Sequence, residues 1–139
     1  MSKTSVTGIA LDGRLVLVAH RNPTGQMGGR WEFPGGKVDG NETDQVALAR
    51  EFKEEFNVKV KVGESVASTQ FEHNGQTVNL HAYIVKPAHK GIVIKYKLTE
   101  HTEYRWVDID TIKTMNFVDS DLKLYPDVRK YVLSGESAK

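Results

Sequence analysis

The sequence predicts a single domain of the α+β class, built on a mixed β-sheet. With 139 residues, the chain is long enough for one domain with a sizeable core and too short for two. Many short β-rich runs are interrupted by turn signals, whereas the two long helical patterns lie far apart in the sequence. Asp12-Gly13 and Asn74-Gly75 each separate two such runs, which is the pattern of a tight β-hairpin.

The predicted strands are short runs that are apolar or that alternate between apolar and polar residues. They are residues 6–10, 15–19, 31–33, 58–66, 71–73, 77–85, 92–96 and 104–107. The alternation is clearest at Val58, Val60 and Val62, which are separated by lysines and so indicate a strand buried on one face. The Gly-rich polar segment 21–30 predicts a loop.

Helices are predicted at residues 43–56, 108–114 and 125–133. The first has apolar residues near helical spacing, and either Asn41 or Thr43 can cap its N-terminus. The last has Pro126 close to its start and Gly135 just beyond its end. Residues 134–139 are therefore expected to form a frayed tail.

Composition and charge exclude several classes of function. The formal net charge is +1, which gives no electrostatic reason to expect a nucleic-acid or membrane partner. Lysines within residues 86–97 fit better as protection of an edge strand than as a nucleic-acid site. The absence of cysteine excludes disulfides and thiolate metal sites, and it fits a reducing environment. We expect a cytoplasmic protein without a targeting or membrane-spanning segment.

The stretch REFKEEF, residues 50–56, places three carboxylates on one face of the first long helix. Glu51, Glu54 and Glu55 stand at offsets of zero, three and four, so their side chains stack and repel one another. A solvated face is one explanation. The other is a hard cation, because Mg²⁺ prefers carboxylate oxygens and takes further ligands from phosphates. Arg50 could hold one of these carboxylates by a bidentate contact, or pair with Glu54 one turn along.

Residues 36–58, GKVDGNETDQVALAREFKEEFNV, resemble the Nudix box, G-x5-E-x7-R-E-U-x-E-E-x-G-U, where U is a bulky apolar residue. Six of its seven glycine or charged positions match. The exception is Asn57, where the family has Gly; Asn is the next-best residue for the left-handed conformation wanted after a helix. The resemblance implies a Nudix fold, an α/β/α sandwich around a curved mixed sheet, over residues 1–139.

The flanking stretches HRNPTGQMGGR, WEFPGGKV and RWV are similar to the MutT-type nucleoside triphosphate pyrophosphohydrolases. This similarity implies Mg²⁺- or Mn²⁺-dependent hydrolysis of a small-molecule nucleoside triphosphate to a nucleoside monophosphate and pyrophosphate. The substrate would be a damaged or noncanonical dNTP such as 8-oxo-dGTP, or a CTP-like triphosphate. A nucleotide-sugar or dinucleoside polyphosphate hydrolase is the alternative, and a non-catalytic nucleotide-binding domain is a further one. The enzyme is expected to be a monomer or a homodimer.

The resemblance also implies roles for individual residues. The metal ligands would be Gly35, Glu51, Glu54, Glu55 and Glu100. The catalytic residues would be Glu54, Glu51, Arg50 and Glu100, with Glu54 the first choice as general base. The substrate-binding residues would be Arg21, Phe33, Lys37 and Asp121.

Four of these positions have alternatives. Arg21 is equally explained as a surface residue at a strand end, and Phe33 as a core residue. Glu103 competes with Glu100 for the loop role, and Asp119 competes with Asp121 for contact with the base.

Overall fold

A computed structural model describes residues 3–21, 28–87 and 101–137. The strands are β1 Lys3–Asp12, β2 Leu15–Arg21, β3 Trp31–Glu32, β4 Gly35–Lys37, β5 Val60–His73, β6 Gln76–Pro87 and β7 His101–Asp108. The helices are α1 Asp44–Phe56, α2 Asp119–Ser137 and a short 3₁₀-helix, Ile109–Thr114. The predicted strand at residues 92–96 lies outside the described residues.

The described strands form one mixed sheet, as predicted. The order is β3-β2-β1-β6-β5, with β4 also pairing with β1 and β7 with β2. β1 and β6 run parallel, and the other pairs run antiparallel. Val6 in β1 lies opposite Gly36 of β4 on one side and opposite His81 of β6 on the other. This register places the first glycine of the box beside the middle of the sheet.

Helices cover both faces of the sheet, so the predicted sandwich is confirmed. Strand residues alternate between two cores because successive side chains point to opposite faces. Val16 and Val18 of β2 pack with α2 and the 3₁₀-helix, whereas Leu17 and Ala19 pack with α1. Helix α1 therefore forms one layer, and α2 forms the other.

Helix α2 differs from its prediction at both ends. It begins at Asp119 and continues through Pro126 to Ser137, so the bounds 125–133 are wrong and the chain is still helical where the tail was expected. The reason is packing: Leu124, Val128 and Val132 recur every four residues and are buried against the sheet. This apolar stripe outweighs the backbone hydrogen bond that the proline removes.

Strand β5 is longer than expected because bulges interrupt its alternation. Its register against β6 shifts between Val62 and Ser65 and again between Ser65 and Ala67. A bulge moves side chains to the other face, so the sequence pattern breaks where the strand continues. The hairpin at Asn74-Gly75 is confirmed, with φ of 51° and 75° at its two residues.

None of the helices in the described part of the chain combines the length and hydropathy that crossing a membrane requires.

Candidate active site

Local sequence fixes both ends of α1. The Thr43 side chain accepts a hydrogen bond from the backbone N–H of Val46 at 3.2 Å, which caps the N-terminus. At the other end Asn57 has φ 55° and ψ 37°, the left-handed conformation that was predicted for it. Its backbone N–H donates to the carbonyl of Lys53. The helix therefore stops immediately after its acidic turn.

Two side chains of strand β6 contact the carboxylate of Asp44, the first residue of α1. The Tyr83 hydroxyl donates to Asp44 Oδ2 at 2.6 Å, and His81 Nδ1 lies 2.7 Å from the same oxygen. Phe52 and Phe56 are buried on the opposite side of the helix from solvent, with rings stacked 5.0 Å apart. These contacts leave the glutamate face of α1 directed away from the core.

Arg50 is the organising side chain of the acidic turn. Its Nε and Nη2 donate to the two carboxylate oxygens of Glu42 at 2.8 and 2.9 Å, a bidentate pair. Nη1 donates to Glu51 at 3.0 Å and lies 3.5 Å from Glu54, and Nη2 also donates to the Lys37 carbonyl at 3.0 Å. The bidentate partner is therefore Glu42, and not one of the three stacked glutamates.

The repulsion among the stacked glutamates is partly relieved within the protein. The guanidinium already supplies positive charge to Glu51 and Glu54. Its hydrogen bonds hold the pKa of Glu42 at about 2, with help from the backbone N–H of Asp39. The same bonds to Glu42 raise the pKa of Arg50 above its usual range. The single positive charge of Arg50 thus offsets part of the negative charge of the acidic turn.

Two glycines of β4, Gly35 and Gly36, allow close packing against β1 and against the acidic turn of α1. A Cβ added to Gly36 would lie 2.3 Å from the carboxyl carbon of Glu51, so only glycine leaves room for that side chain. A Cβ added to Gly35 would lie 2.0 Å from the carbonyl oxygen of Val6, because β4 approaches β1 closely there. The metal contact of Gly35 stays a prediction.

The three glutamates differ in exposure and in their contacts. The side chain of Glu51 is 17% exposed and that of Glu54 is 57% exposed. Glu55 accepts a hydrogen bond from the Tyr104 hydroxyl at 2.9 Å. Across residues 3–21, 28–87 and 101–137, no three His, Asp or Glu side chains are already arranged around a metal position. The donor set itself, carboxylates beside glycine carbonyls, is the kind that Mg²⁺ prefers.

A second group of polar residues lies where α2 meets β3. Asp121 is 5% exposed, and its Oδ2 accepts a hydrogen bond from the Phe33 backbone N–H at 2.8 Å. Burial, together with the nearby Glu32 carboxylate, raises the pKa of Asp121 to about 8. The Asp119 side chain is 78% exposed and lies 3.4 Å from Arg30. Of the two candidate aspartates, Asp121 is therefore the one whose carboxyl group is buried.

Arg21 and Glu32 form an ion pair beside this buried carboxyl. Arg21 Nη1 donates to the two Glu32 oxygens at 3.1 and 3.2 Å. Arg21 Nε is buried and has no hydrogen-bond partner in the described part of the chain. Sequence reasoning missed Glu32, although it stands within the WEFPGGKV stretch. Contact of Arg21 with phosphate stays a prediction.

The remaining predicted residues fall in different places. The Phe33 ring is 2% exposed and packs edge-on against Phe117, which favours its interpretation as a core residue. Lys37 is exposed beside Arg50. Glu100 lies outside the described residues, and Glu103 pairs with Arg105 at 2.9 Å. No local signal could have revealed Tyr104, because its partner Glu55 is 49 residues away.

Known proteins of similar sequence and structure indicate the family of this chain. The model of the NUDIX domain matches residues 1–128. The chain is 43% identical over 116 residues to the CTP pyrophosphohydrolase of Escherichia coli K12, covering 84% of this chain and 82% of that protein. It is 32% identical over 145 residues to the putative 8-oxo-dGTP diphosphatase 2 of Mycobacterium tuberculosis, covering 99% and 95%. The solution structure of the E. coli ORF135 protein matches with a TM-score of 0.79 and 28% identity, covering 93% of this chain and 89% of that one. The chain therefore belongs to the Nudix hydrolase family.

Proposed function

We propose that the protein hydrolyses a nucleoside triphosphate to a nucleoside monophosphate and pyrophosphate, using Mg²⁺ or Mn²⁺ at the acidic face of α1. The observation that carries the proposal is the single guanidinium of Arg50, which orders Glu51 and Glu54 from a bidentate anchor on Glu42. A merely solvated face needs no such anchor. The names of the two curated relatives, a CTP pyrophosphohydrolase and a putative 8-oxo-dGTP diphosphatase, support the substrate class.

The proposed cation ligands are Glu51, Glu54, Glu55 and the carbonyl of Gly35. Glu100, which precedes β7 in the sequence and lies outside the described residues, is a further candidate. A bound divalent ion would neutralise phosphate oxygens and lower the pKa of a water molecule. Among the glutamates that Arg50 contacts, the Glu54 side chain is the more exposed, so it is the first choice to accept a proton from the attacking water. Arg50 would keep Glu54 close to Glu51 during this transfer.

We assign recognition of the base to Asp121. With a pKa of about 8, its carboxyl holds a proton at neutral pH and can both donate and accept hydrogen bonds. Cytosine presents an acceptor beside an amino group, and an oxidised guanine presents a carbonyl beside a ring N–H, so each offers a matching pair. This match supports both candidate bases equally, and only assay separates them. Arg21, paired with Glu32 next to Asp121, is proposed to contact phosphate.

A panel of nucleotides assayed with and without Mg²⁺ tests the reaction. We expect CTP or 8-oxo-dGTP to yield the monophosphate and pyrophosphate in the presence of Mg²⁺ only. Release of a sugar phosphate from a nucleotide sugar would instead support the alternative hydrolase. Nucleotide binding without turnover of any compound in the panel would leave the non-catalytic interpretation.

Substitution of Glu54 tests the assignment of the base. E54Q removes the proton acceptor and one charge while keeping the shape of the side chain, so we expect kcat to fall by about 10² to 10⁴. The matched control is E72Q, because Glu72 is exposed on the β5–β6 hairpin and accepts from Thr77 there. Turnover by E54Q at the rate of E72Q would contradict the role of Glu54.

A further inference from the structure

The hydroxyl of Tyr104 links strand β7 to the acidic turn of α1. It donates to Glu55 Oε2 at 2.9 Å. Tyr104 is 7% exposed, and its ring lies 4.6 Å from the ring of Phe56 in the core under α1. In β7 it stands opposite Ala19, a small buried residue of β2. The phenol is thus held by packing on several sides, and its polar end reaches a carboxylate.

The helix geometry explains why Glu55 can receive this contact. At about 100° per residue, the order around the axis is Arg50, Glu54, Glu51, Glu55, followed by Phe52. Glu55 therefore lies at the border between the acidic face and the buried face. Arg50 holds the opposite border, where it contacts Glu54 and Glu51.

We propose that Tyr104 is a positioning residue that orients the Glu55 carboxylate for the divalent cation. The inference rests on the proposed function, because Glu55 needs a fixed direction only if it ligates an ion. Burying a hydroxyl without a hydrogen-bond partner destabilises the fold, and fixing a glutamate side chain in one direction costs conformational entropy. The Tyr104–Glu55 hydrogen bond satisfies the first group and holds the second in advance of binding. The acidic face is then ordered from both borders, by Arg50 and by Tyr104.

A phenol that served packing alone could be replaced by phenylalanine without consequence for metal binding. Partners of metal ligands behave differently: their removal weakens metal affinity by about 10-fold to 100-fold. The variant Y104F separates these two roles, since it keeps the ring against Phe56 and removes the hydroxyl from Glu55.

The experiment measures Mn²⁺ binding to the nucleotide-free protein by electron paramagnetic resonance of the unbound ion. We expect Y104F to bind Mn²⁺ about 10-fold to 100-fold more weakly than wild type, and to need correspondingly more Mg²⁺ for half-maximal turnover. The control is Y131F, because the Tyr131 hydroxyl also donates to a glutamate, Glu64, at 2.7 Å, but from α2. Y131F should bind Mn²⁺ as wild type does.

A second variant, E55Q, tests whether Tyr104 acts through Glu55. If it does, Y104F should cause little further loss of Mn²⁺ affinity in the E55Q background, so the two losses should not add. Three results would each overturn the inference while leaving the proposed function intact. They are unchanged Mn²⁺ affinity in Y104F, additive losses in the double variant, and unfolding of Y104F at the assay temperature. Absence of Mn²⁺ binding by the nucleotide-free wild type would likewise overturn the inference alone, whereas absence of Mg²⁺-dependent turnover by the wild type would overturn the proposed function together with it.

Discussion

The substitution D121N should change the pH dependence of stability, because Asp121 is the buried carboxyl of the site. Its pKa is raised from 3.8 to about 8, first by burial and then by the charge of Glu32. The folded protein therefore holds a proton on Asp121 that the unfolded chain releases above pH 3.8. Asparagine resembles the protonated acid, can accept the same bond from the Phe33 N–H, and does not titrate.

The sign and the magnitude follow from this proton difference. The stability associated with Asp121 is complete below the unfolded pKa and is lost progressively as the pH rises towards the folded pKa of about 8. One proton corresponds to about 1.4 kcal/mol per pH unit. Between about pH 5 and pH 7, the wild type should lose about 2.5 kcal/mol of unfolding free energy relative to D121N.

Urea unfolding followed by tryptophan fluorescence gives the free energies at each pH. All ionisable groups other than residue 121 are the same in the two proteins, so we expect their contributions to cancel in the difference. D119N is the control, because the Asp119 side chain is 78% exposed and its free-energy curve should stay parallel to that of the wild type. Parallel curves for D121N and wild type would refute the buried proton.

Three further substitutions test the glycines and the cap of α1. G36A should lower kcat/KM strongly and change the melting temperature little, because the added methyl meets the movable carboxylate of Glu51. Steady-state kinetics and a thermal melt of the same variant check this. G35A should lower the unfolding free energy by about 1–3 kcal/mol, because its methyl meets the fixed backbone of Val6 and must separate β4 from β1. N57A should cost about 1 kcal/mol in urea unfolding and N57G less, because φ is 55° at that position.

The elements that local sequence determines were predicted well. Helix α1 was placed within one residue of its observed bounds because Thr43 caps it and Asn57 ends it. The hairpin at Asn74 was predicted because its turn type demands positive φ at both residues. In α2 the prediction relied on Pro126 as a start signal, and the long-range packing of Leu124 and Val128 overruled it.

The site shows the same division between local and long-range information. Stacking of the three glutamates followed from helical spacing alone. The anchor of Arg50 on Glu42 did not, because their separation of eight residues is not a helical pair spacing and Glu42 precedes the helix. The bond between Asp121 and Phe33 joins residues 88 apart, so only the family resemblance pointed to that aspartate.

The anchored guanidinium of Arg50 has a consequence for how the enzyme would respond to chelation. Since Glu51 and Glu54 already have a counter-charge within the protein, α1 can fold before any ion arrives. Stripping the ion with EDTA would then silence turnover and leave the thermal transition in place, unlike in zinc fingers, where losing the metal unfolds the domain. In the proposed mechanism, the ion would therefore be free to bind and leave with the nucleotide while the domain stays folded.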